Sequence, residues 1–257
     1  MSGAEALEPT RAEICAVACA EAWRGDGEIL ASPFGTVPSL GARLARLTFA
    51  PDLVLTDGEA ALMANTPGLL AAGDEVVREA PMPYRRVFDV LWSGRRHIMM
   101  MASQLDRYGN QNLSCIGDWR RPSTQLIGVR GSPGNTLNHT TSYWVPSHTP
   151  RVFAEQVDMV GGVGYDRAAG LGAAARFHEL RVVVTNLAVL DFATPDHRMR
   201  LRSVHPGVTV GEVQAATGFE LAVDGSVPET RRPEADELEL LRTVLDPDSR
   251  RDSEVRA

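Results

Sequence analysis

Two acidic residues follow a predicted buried strand and could carry acid–base or nucleophilic chemistry. The stretch "TDGEA" places Asp57 and Glu59 on a short turn directly after the apolar run "DLVLT". A carboxylate in such a turn can act as a nucleophile or as a general base when its neighbours tune its pKa. An equally good interpretation is that Asp57 only caps a following helix. We treat both residues as candidate catalytic groups.

A second polar turn follows the apolar stretch "HIMMMA". The turn "DRYGNQN" contains Gly109, which can adopt a positive φ, and the amide side chains of Asn110 and Asn112. Ligand sites of open α/β sheets lie at strand ends, where this turn is expected. We predict that Asn110 and Asn112 contact the substrate or a coenzyme. For at least one of them, a turn that is hydrogen-bonded only to itself is the stronger alternative.

A third stretch, "VRGSPGN", is dense in glycine and small polar residues. Glycines leave backbone amides exposed, and such amides can hold an oxyanion or a thioester oxygen. The alternative is a wide connecting loop without a ligand. The candidate binding residues here are Gly131, Ser132, Gly134 and Asn135.

Composition excludes several classes of function. The chain has 257 residues, a formal net charge of -7 and three cysteines. An acidic chain without a basic stripe is a poor nucleic-acid binder, and no apolar run is long enough to cross a bilayer. We therefore expect neither nucleic acid nor membrane as a partner. The sparse, odd number of cysteines favours reduced thiols and a cytoplasmic location.

Familiar cofactor and metal signatures are missing or incomplete. In "GGVGYDRAAG", Arg167 stands where the dinucleotide fingerprint needs its third glycine. Cys15 and Cys19 could share a helix face, but without nearby partners they are better interpreted as core thiols than as zinc ligands. We expect no metal site and no resident cofactor.

The elements that must position these residues alternate between helix and strand. Thr10 and Glu13 have the spacing of a capping box, and the helix-like "SLGARLARLTFA" leads into the strand "DLVLT". This alternation predicts an α/β fold with parallel or mixed strand pairing and helices packed outside the sheet. One domain over residues 1–257 is the simplest division, with a charged tail from about residue 246 that is expected to be flexible.

The order of these stretches resembles the beta subunits of the family I coenzyme A transferases, in their glutaconate-type branch. The similar segments are "DRYGNQN", "IGDW", "VRGSPGN" and "VHPGVTVGEVQAATGFEL". The resemblance runs from about residue 10 to residue 245. It implies a three-layer α/β/α fold with a mostly parallel or mixed central sheet.

Within that branch, "LTDGEA", "RVFDVLWSGRRH" and "TSYWV" resemble the beta subunits of bacterial hydrolases that open the last steroid ring. The resemblance implies a substrate carried as a coenzyme A (CoA) thioester and an alpha subunit as partner, in an α2β2 heterotetramer. It also implies that the main catalytic carboxylate comes from the alpha subunit.

One departure from the transferases favours hydrolysis. Transferases of this family carry a nucleophilic glutamate in the turn that matches "TDGEA", and neither Asp57 nor Glu59 fits that position cleanly. The alternatives are a CoA-transferase beta subunit that acts on a small dicarboxylate and a non-catalytic binding or scaffold partner.

Overall fold

The computed structural model describes residues 8–58, 60–71 and 75–255. Within these ranges a six-stranded sheet runs through the middle of the chain's fold. In spatial order its strands are β1 (Leu30–Pro33), β5 (Arg96–Met101), β10 (Thr140–Val145), β11 (Glu179–Thr185), β12 (Ala188–Asp191) and β13 (Arg200–Val204). The first three junctions are parallel and the last two are antiparallel. The prediction of a mostly parallel or mixed sheet is confirmed.

Side-chain alternation along the central strands divides the core into two apolar clusters. On β5, Met99 points to one cluster and Ile98 to the other. On β10, Trp144 and Tyr143 divide in the same way. Successive residues of a strand face opposite sides of the sheet, so strands covered on both faces become apolar throughout.

Seven α-helices accompany the sheet in the described part of the chain. They are α1 (Arg11–Glu21), α2 (Thr36–Thr48), α3 (Arg86–Ser93), α4 (Ser132–Asn138), α5 (Tyr165–Ala168), α6 (Val210–Ala215) and α7 (Ala235–Glu239) among the described residues. Helices α1 and α2 pack together on one face, whereas α6 contributes Val213 to the cluster on the other face. The α/β prediction is therefore confirmed, with helical cover on both faces of the sheet.

Within the ranges that the structure describes, three small antiparallel units lie outside the central sheet. The first joins β2 (Leu55–Thr56), β3 (Ala61–Met63) and β4 (Arg78–Pro81). The second pairs β6 (Gln104–Leu105) with β7 (Gln111–Asn112), and the third pairs β8 (Cys115–Ile116) with β9 (Thr124–Gln125). The first two units carry the polar turns that contain Asp57 and Asn110.

The predicted capping box begins α1. The Thr10 hydroxyl accepts from the Glu13 amide at 3.2 Å, and the Glu13 carboxylate accepts from the Thr10 amide at 2.8 Å. Both bonds satisfy donors that a helix start leaves unpaired. Glu13 is fully buried and also pairs with Arg242 and Arg251. These ion pairs attach the C-terminal part of the chain to α1.

The tail differs from the flexible segment that its charges suggested. Asp246 and Arg251 are buried and joined by an ion pair of 2.9 Å. The Glu254 carboxylate accepts from the Val37 amide at 2.7 Å, at the start of α2. These contacts hold the tail against α1 and α2 as far as residue 255, the last one described. No helix within the described ranges is long and apolar enough to span a membrane.

Candidate functional site

Asp57 lies in the turn that joins β2 to β3. Its Oδ1 atom accepts from the amides of Ala60 and Ala61, at 3.0 Å each, and its Oδ2 atom lies 3.4 Å from Nε of Arg78. The Asp57 side chain is only 8% exposed. The next element is a strand rather than a helix, so Asp57 caps a turn and the helix-cap interpretation is wrong. Glu59, the second candidate carboxylate, lies outside the described residues.

A cleft of about 490 Å³ opens beside this turn. It lies between the edge strand β1, helix α2, the β2–β3 turn and the start of α3. Its lining includes Ser32, Arg43, Asp57, Met82, Tyr84 and Arg96. Apolar walls with a few convergent polar groups are typical of sites for small molecules. The cleft is therefore the best candidate for the substrate site.

Arg96 is a charged residue of the cleft lining that is almost completely buried. It begins β5 and is only 6% exposed. Its Nε atom donates to the Ser32 hydroxyl at 2.9 Å, and a terminal nitrogen donates to Oδ1 of Asn135 at 3.0 Å. Burial lowers the pKa of its guanidinium to about 10, so it stays charged at neutral pH. Sequence reasoning missed Arg96 because a basic residue before an apolar run looks like an ordinary strand flank.

The "DRYGNQN" turn is organised by Asp106 and is hydrogen-bonded to the segment around residue 164. The Asp106 carboxylate accepts from the backbone amides of Tyr108 and Asn110, at 3.0 Å each, and from the Asn110 side chain at 2.9 Å. Oδ1 of Asn110 in turn accepts from the Gly164 amide at 2.8 Å. Asn110 is only 1% exposed. Because Asn110 also donates to Asp166 at 2.9 Å, the turn is joined to residues 164 and 166 and is not hydrogen-bonded only to itself. A ligand contact of Asn110 stays a prediction.

Asn112 is equally enclosed. Its amide nitrogen donates to Gln104 and to the carbonyl of Cys115, at 2.7 Å each, and its oxygen accepts from the Ser114 amide at 2.9 Å. Neither Asn112 nor Asn110 is among the described residues that line the cleft. Both shape the polypeptide around the β6–β7 hairpin.

The "VRGSPGN" stretch forms a helix start rather than a wide loop. Gly131 is the N-cap of α4, and Ser132, Gly134 and Asn135 lie within its seven residues. The Ser132 amide donates to the Val129 carbonyl at 2.9 Å, and the Asn135 amide donates to the Gly131 carbonyl at 2.9 Å. These two amides are therefore used inside the protein, and the alternative of a wide connecting loop is wrong because the stretch is helical. A ligand role for the Gly131 and Gly134 amides stays a prediction.

Helix α3 covers the same stretch. A Cβ atom built on Gly134 would lie 2.8 Å from the Leu91 side chain of α3. The Ser132 hydroxyl is buried and donates to Gln111 of the β6–β7 hairpin. Of the four residues predicted here, Asn135 alone has a described hydrogen bond to a group that lines the cleft, which is Arg96. The structure thus places Asp57 in the lining of the cleft and connects Asn135 to that lining through Arg96.

A buried serine–histidine–aspartate arrangement lies elsewhere, within the sheet. Nε2 of His97 is 2.8 Å from the Ser142 hydroxyl, and Nδ1 is 2.7 Å from Asp26. Burial opposes ionisation of Asp26, but hydrogen bonds from His97 and Arg181 outweigh it and lower the Asp26 pKa. His97 and Ser142 are fully buried and absent from the cleft lining, so no substrate reaches them there. The arrangement is a structural network that joins β5, β10 and β11.

The three cysteines are free and buried. Burial raises the pKa of Cys15 to about 12 and that of Cys19 well above its usual value. Reactive cysteines need an accessible thiolate. Cys15 and Cys19 are therefore unreactive core thiols.

No group of three potential metal ligands occurs among the described residues.

Comparison with known proteins places this architecture in a family. No family model matches the chain. The B subunit of the 3-oxoadipate CoA-transferase of Pseudomonas knackmussii is 30% identical over 218 residues, which cover 81% of this chain and 83% of that protein. The cholesterol ring-cleaving hydrolase IpdB subunit of Mycobacterium tuberculosis is 56% identical over 248 residues, which cover 96% of this chain and 99% of that protein.

A solved structure agrees with the sequence comparison. The crystal structure of IpdAB from Rhodococcus jostii RHA1 matches with a TM-score of 0.93 and 55% identity, over 97% of this chain and 100% of that chain. The chain therefore belongs to the family of the cholesterol ring-cleaving hydrolase IpdB subunits, which is related to the beta subunits of the CoA-transferases. The resemblance seen in its motifs is confirmed.

Proposed function

We propose that this chain is the beta subunit of a heteromeric hydrolase that opens the last steroid ring of a CoA thioester in cholesterol catabolism. The single observation that carries the proposal is 56% identity to an IpdB subunit over nearly the full length of both chains. The cleft beside Asp57 supplies a site of suitable size. The proposed substrate is a cyclohexene carboxyl-CoA whose ring ketone is β to the thioester carbonyl.

The proposed reaction is a hydrolysis of a carbon–carbon bond. Water adds to the ring ketone and loses a proton to a general base. The bond between the ketone carbon and the carbon next to the thioester then breaks, and its electron pair forms the thioester enolate. A proton on that carbon completes the product, which holds a new carboxylate and keeps its CoA. No resident cofactor or metal is needed for these steps.

Two oxygens gain negative charge during these steps, one on the ketone and one on the thioester. Preorganised donors at such positions are among the largest contributions to catalysis, each worth about 3 kcal/mol. Arg96 is a donor within the cleft. Asp57 and Glu59 are the carboxylates that this chain is proposed to contribute. Their proposed role is to orient or deprotonate the attacking water. The main catalytic carboxylate is proposed to come from the alpha subunit.

The remaining predicted binding residues have a supporting role in this proposal. Asn135 positions Arg96 through its hydrogen bond. Gly131, Ser132 and Gly134 form the start of α4, against which α3 packs. Asn110 and Asn112 fix the neighbouring hairpin and its contacts.

An exposed aromatic stripe marks the surface where the alpha subunit is proposed to dock. It consists of Tyr84, Phe88 and Trp92, which are 74%, 49% and 67% exposed. The four-residue spacing places Phe88 and Trp92 on one side of α3. Tyr84 also lines the cleft. An alpha subunit that docks on this stripe would close the cleft and could insert its carboxylate. The proposed assembly is an α2β2 heterotetramer.

Location and the alternative function follow from separate observations. Free, buried thiols fit a reducing compartment, and we propose the cytoplasm.

The alternative function is a CoA-transferase on a small dicarboxylate, supported by 30% identity to a 3-oxoadipate CoA-transferase subunit. Such a transferase passes CoA through a covalent carboxyl–CoA thioester on the enzyme.

Chemical trapping separates the two functions. The chain is combined with its alpha subunit, given the CoA thioester, and treated with hydroxylamine or borohydride before mass spectrometry of both subunits. The hydrolase leaves both subunits unmodified while ring-opened product accumulates. A trapped carboxylate together with CoA transfer to an added acid would establish the transferase instead.

A further inference from the structure

Two walls of the cleft are held in place by the C-terminal segment, which comprises residues 241–254. The first wall contains Leu69, which lines the cleft, and the Leu69 amide donates to the carbonyl of Leu245 at 2.9 Å. A Cβ atom built on Gly68 would lie 2.7 Å from the carbonyl oxygen of Val244, so this close approach requires glycine. The position of Leu69 in the cleft therefore depends on the C-terminal segment.

The second wall is helix α2, which contributes Ser39 and Arg43 to the cleft lining. The N-cap of this helix is Gly35, which has no side chain that could accept from the first amides. The Glu254 carboxylate takes over that role, because it accepts from the Val37 amide at 2.7 Å. A helix start leaves such amides unpaired, and the helix dipole favours a negative group there. An acid 217 residues further along the chain therefore caps α2.

The C-terminal segment is attached to α1 by ion pairs that do not involve Glu254. The Glu13 carboxylate of α1 accepts from Arg242 at 2.7 Å and from Arg251 at 2.8 Å. Arg251 also pairs with Asp246 at 2.9 Å. These buried charges are compensated among themselves, as stable burial of charge requires. Removing the Glu254 carboxylate should therefore uncap α2 while the segment stays on α1.

We propose that Glu254 is a positioning residue for substrate binding, because its cap fixes the α2 wall of the cleft relative to the wall that contains Leu69. The two walls also contact each other, since Nε of Arg43 donates to the Pro67 carbonyl at 3.1 Å. Glu254 is not among the described residues that line the cleft, so it acts through α2. Side chains that bind a ligand need supporting contacts to hold their geometry. This inference rests on the proposed function and adds that the C-terminal segment sets the affinity for the acyl group.

The test measures KM and kcat of the assembled complex with the ring thioester. Glu254→Ala removes the cap, and KM is expected to rise about fivefold, which is the usual size of an N-cap contribution expressed as an equilibrium constant. We expect kcat to change by less than about twofold, because the proposed catalytic carboxylates lie in the β2–β3 turn and in the alpha subunit. The dissociation constant of a non-reactive CoA thioether analogue should rise by the same factor as KM.

A conservative variant and a matched control make the result specific. Glu254→Gln keeps an oxygen that can accept from the Val37 amide, so its KM is expected to stay within about twofold of the wild-type value. Asp252→Ala removes an exposed acid of the same segment that accepts from the Thr10 hydroxyl and has no described bond to α2, so it should leave KM unchanged. Hydrogen exchange at the start of α2 should accelerate in Glu254→Ala and not in Glu254→Gln.

Gly68→Ala tests the other wall and keeps the proposal testable if Glu254→Ala fails to fold. The added Cβ would push this wall away from the Val244 carbonyl, so KM should rise here as well. Gly170→Ala is the control for this variant, because nothing lies within 4 Å of an added Cβ there. It is expected to leave KM unchanged.

Four results would overturn the proposal. The first is an unchanged KM in both Glu254→Ala and Gly68→Ala, and the second is an equal rise of KM in Asp252→Ala. The third is a fall of kcat in Glu254→Ala without a change of KM. The fourth is loss of the alpha subunit from Glu254→Ala in analytical ultracentrifugation, which would assign the acid to assembly. Failure of the proposed function would look different, because the wild-type complex itself would then yield no ring-opened product.

Discussion

At the scale of single residues, Asp57 of the cleft can be recognised as a candidate from the sequence, whereas Arg96 cannot. Asp57 could be predicted because an acid after an apolar run is a visible pattern. Arg96 could not, because its importance depends on burial and on the absence of a described acidic partner. Asn110 and Asn112 show the reverse problem. Their polar types suggested binding, but groups of the hairpin and of the segments next to it satisfy their amide groups.

Asp57→Asn tests the proposed carboxylate of this chain. Asparagine keeps the oxygen that accepts from Ala60 and Ala61 but removes the charge. We expect kcat to fall by about 100-fold, the lower range for losing a general base, while the melting temperature changes little. Steady-state kinetics of the reconstituted complex measure the effect. Glu59→Gln is assayed beside it, and near-normal rates for both variants would remove this chain's acids from the mechanism.

At the scale of secondary-structure elements, long patterned segments were predictable and short ones were not. The capping box of α1 and the hairpin β11–β12 follow from sequence patterns. Helix α4 has only seven residues, too few for a periodic pattern, so its glycines and Pro133 suggested a loop. The residue types of "RVFAE" and "VDMV" alone are typical of strands. In the structure, Phe153 is buried in an irregular segment and forms an isolated β-bridge with Leu105.

The β6–β7 hairpin depends on Gly109. This residue has φ of +82°, and an added Cβ would lie 2.5 Å from Leu180 and 2.8 Å from Phe192. Gly109→Ala therefore combines backbone strain of about 1 kcal/mol with overpacking of about 1–3 kcal/mol. Gly25→Ala is the matched control, because φ is +83° there and nothing lies within 4 Å. Urea unfolding should show Gly109→Ala as the more destabilised variant; equal losses would mean that the hairpin's packing is not as described.

The surface of α3 supports a prediction about assembly. Phe88→Glu places a charge in the aromatic stripe and is expected to lower the affinity for the alpha subunit at least about tenfold, as for loss of an aromatic anchor. Phe177→Glu is the control, since Phe88 and Phe177 are both 49% exposed. Analytical ultracentrifugation of each variant with the alpha subunit measures the difference. Equal assembly of both variants would place the interface elsewhere.

At the scale of the whole molecule, buried neutral histidines set the response to acid. Burial lowers the pKa of His139 to about 4, of His148 to about 3 and of His205 to about 4. Unfolding restores a pKa near 6.5, so between pH 6.5 and 4 the unfolded chain binds more protons than the folded one. Stability is therefore fully present above pH 6.5 and falls as the pH drops below it.

The size of this loss can be measured by urea unfolding at several pH values. Each of the three histidines contributes a slope of up to about 1.4 kcal/mol per pH unit. His148→Gln, which keeps hydrogen-bonding capacity towards Thr185 and Thr217, should reduce the total slope by about that amount. A free energy of unfolding that stays constant from pH 6.5 to 4.5 would contradict the buried, neutral state of these side chains.

The proposed function requires that water, rather than a second acid, cleaves the substrate within the assembled complex. The direct measurement is turnover of the ring thioester in water enriched in oxygen-18, followed by mass spectrometry of the product. Hydrolysis of the ring should give a product that is one water heavier, carries oxygen-18 in its new carboxyl group and still holds CoA. An intact ring with CoA moved to an added acid, and no oxygen-18 in the acyl product, would contradict it.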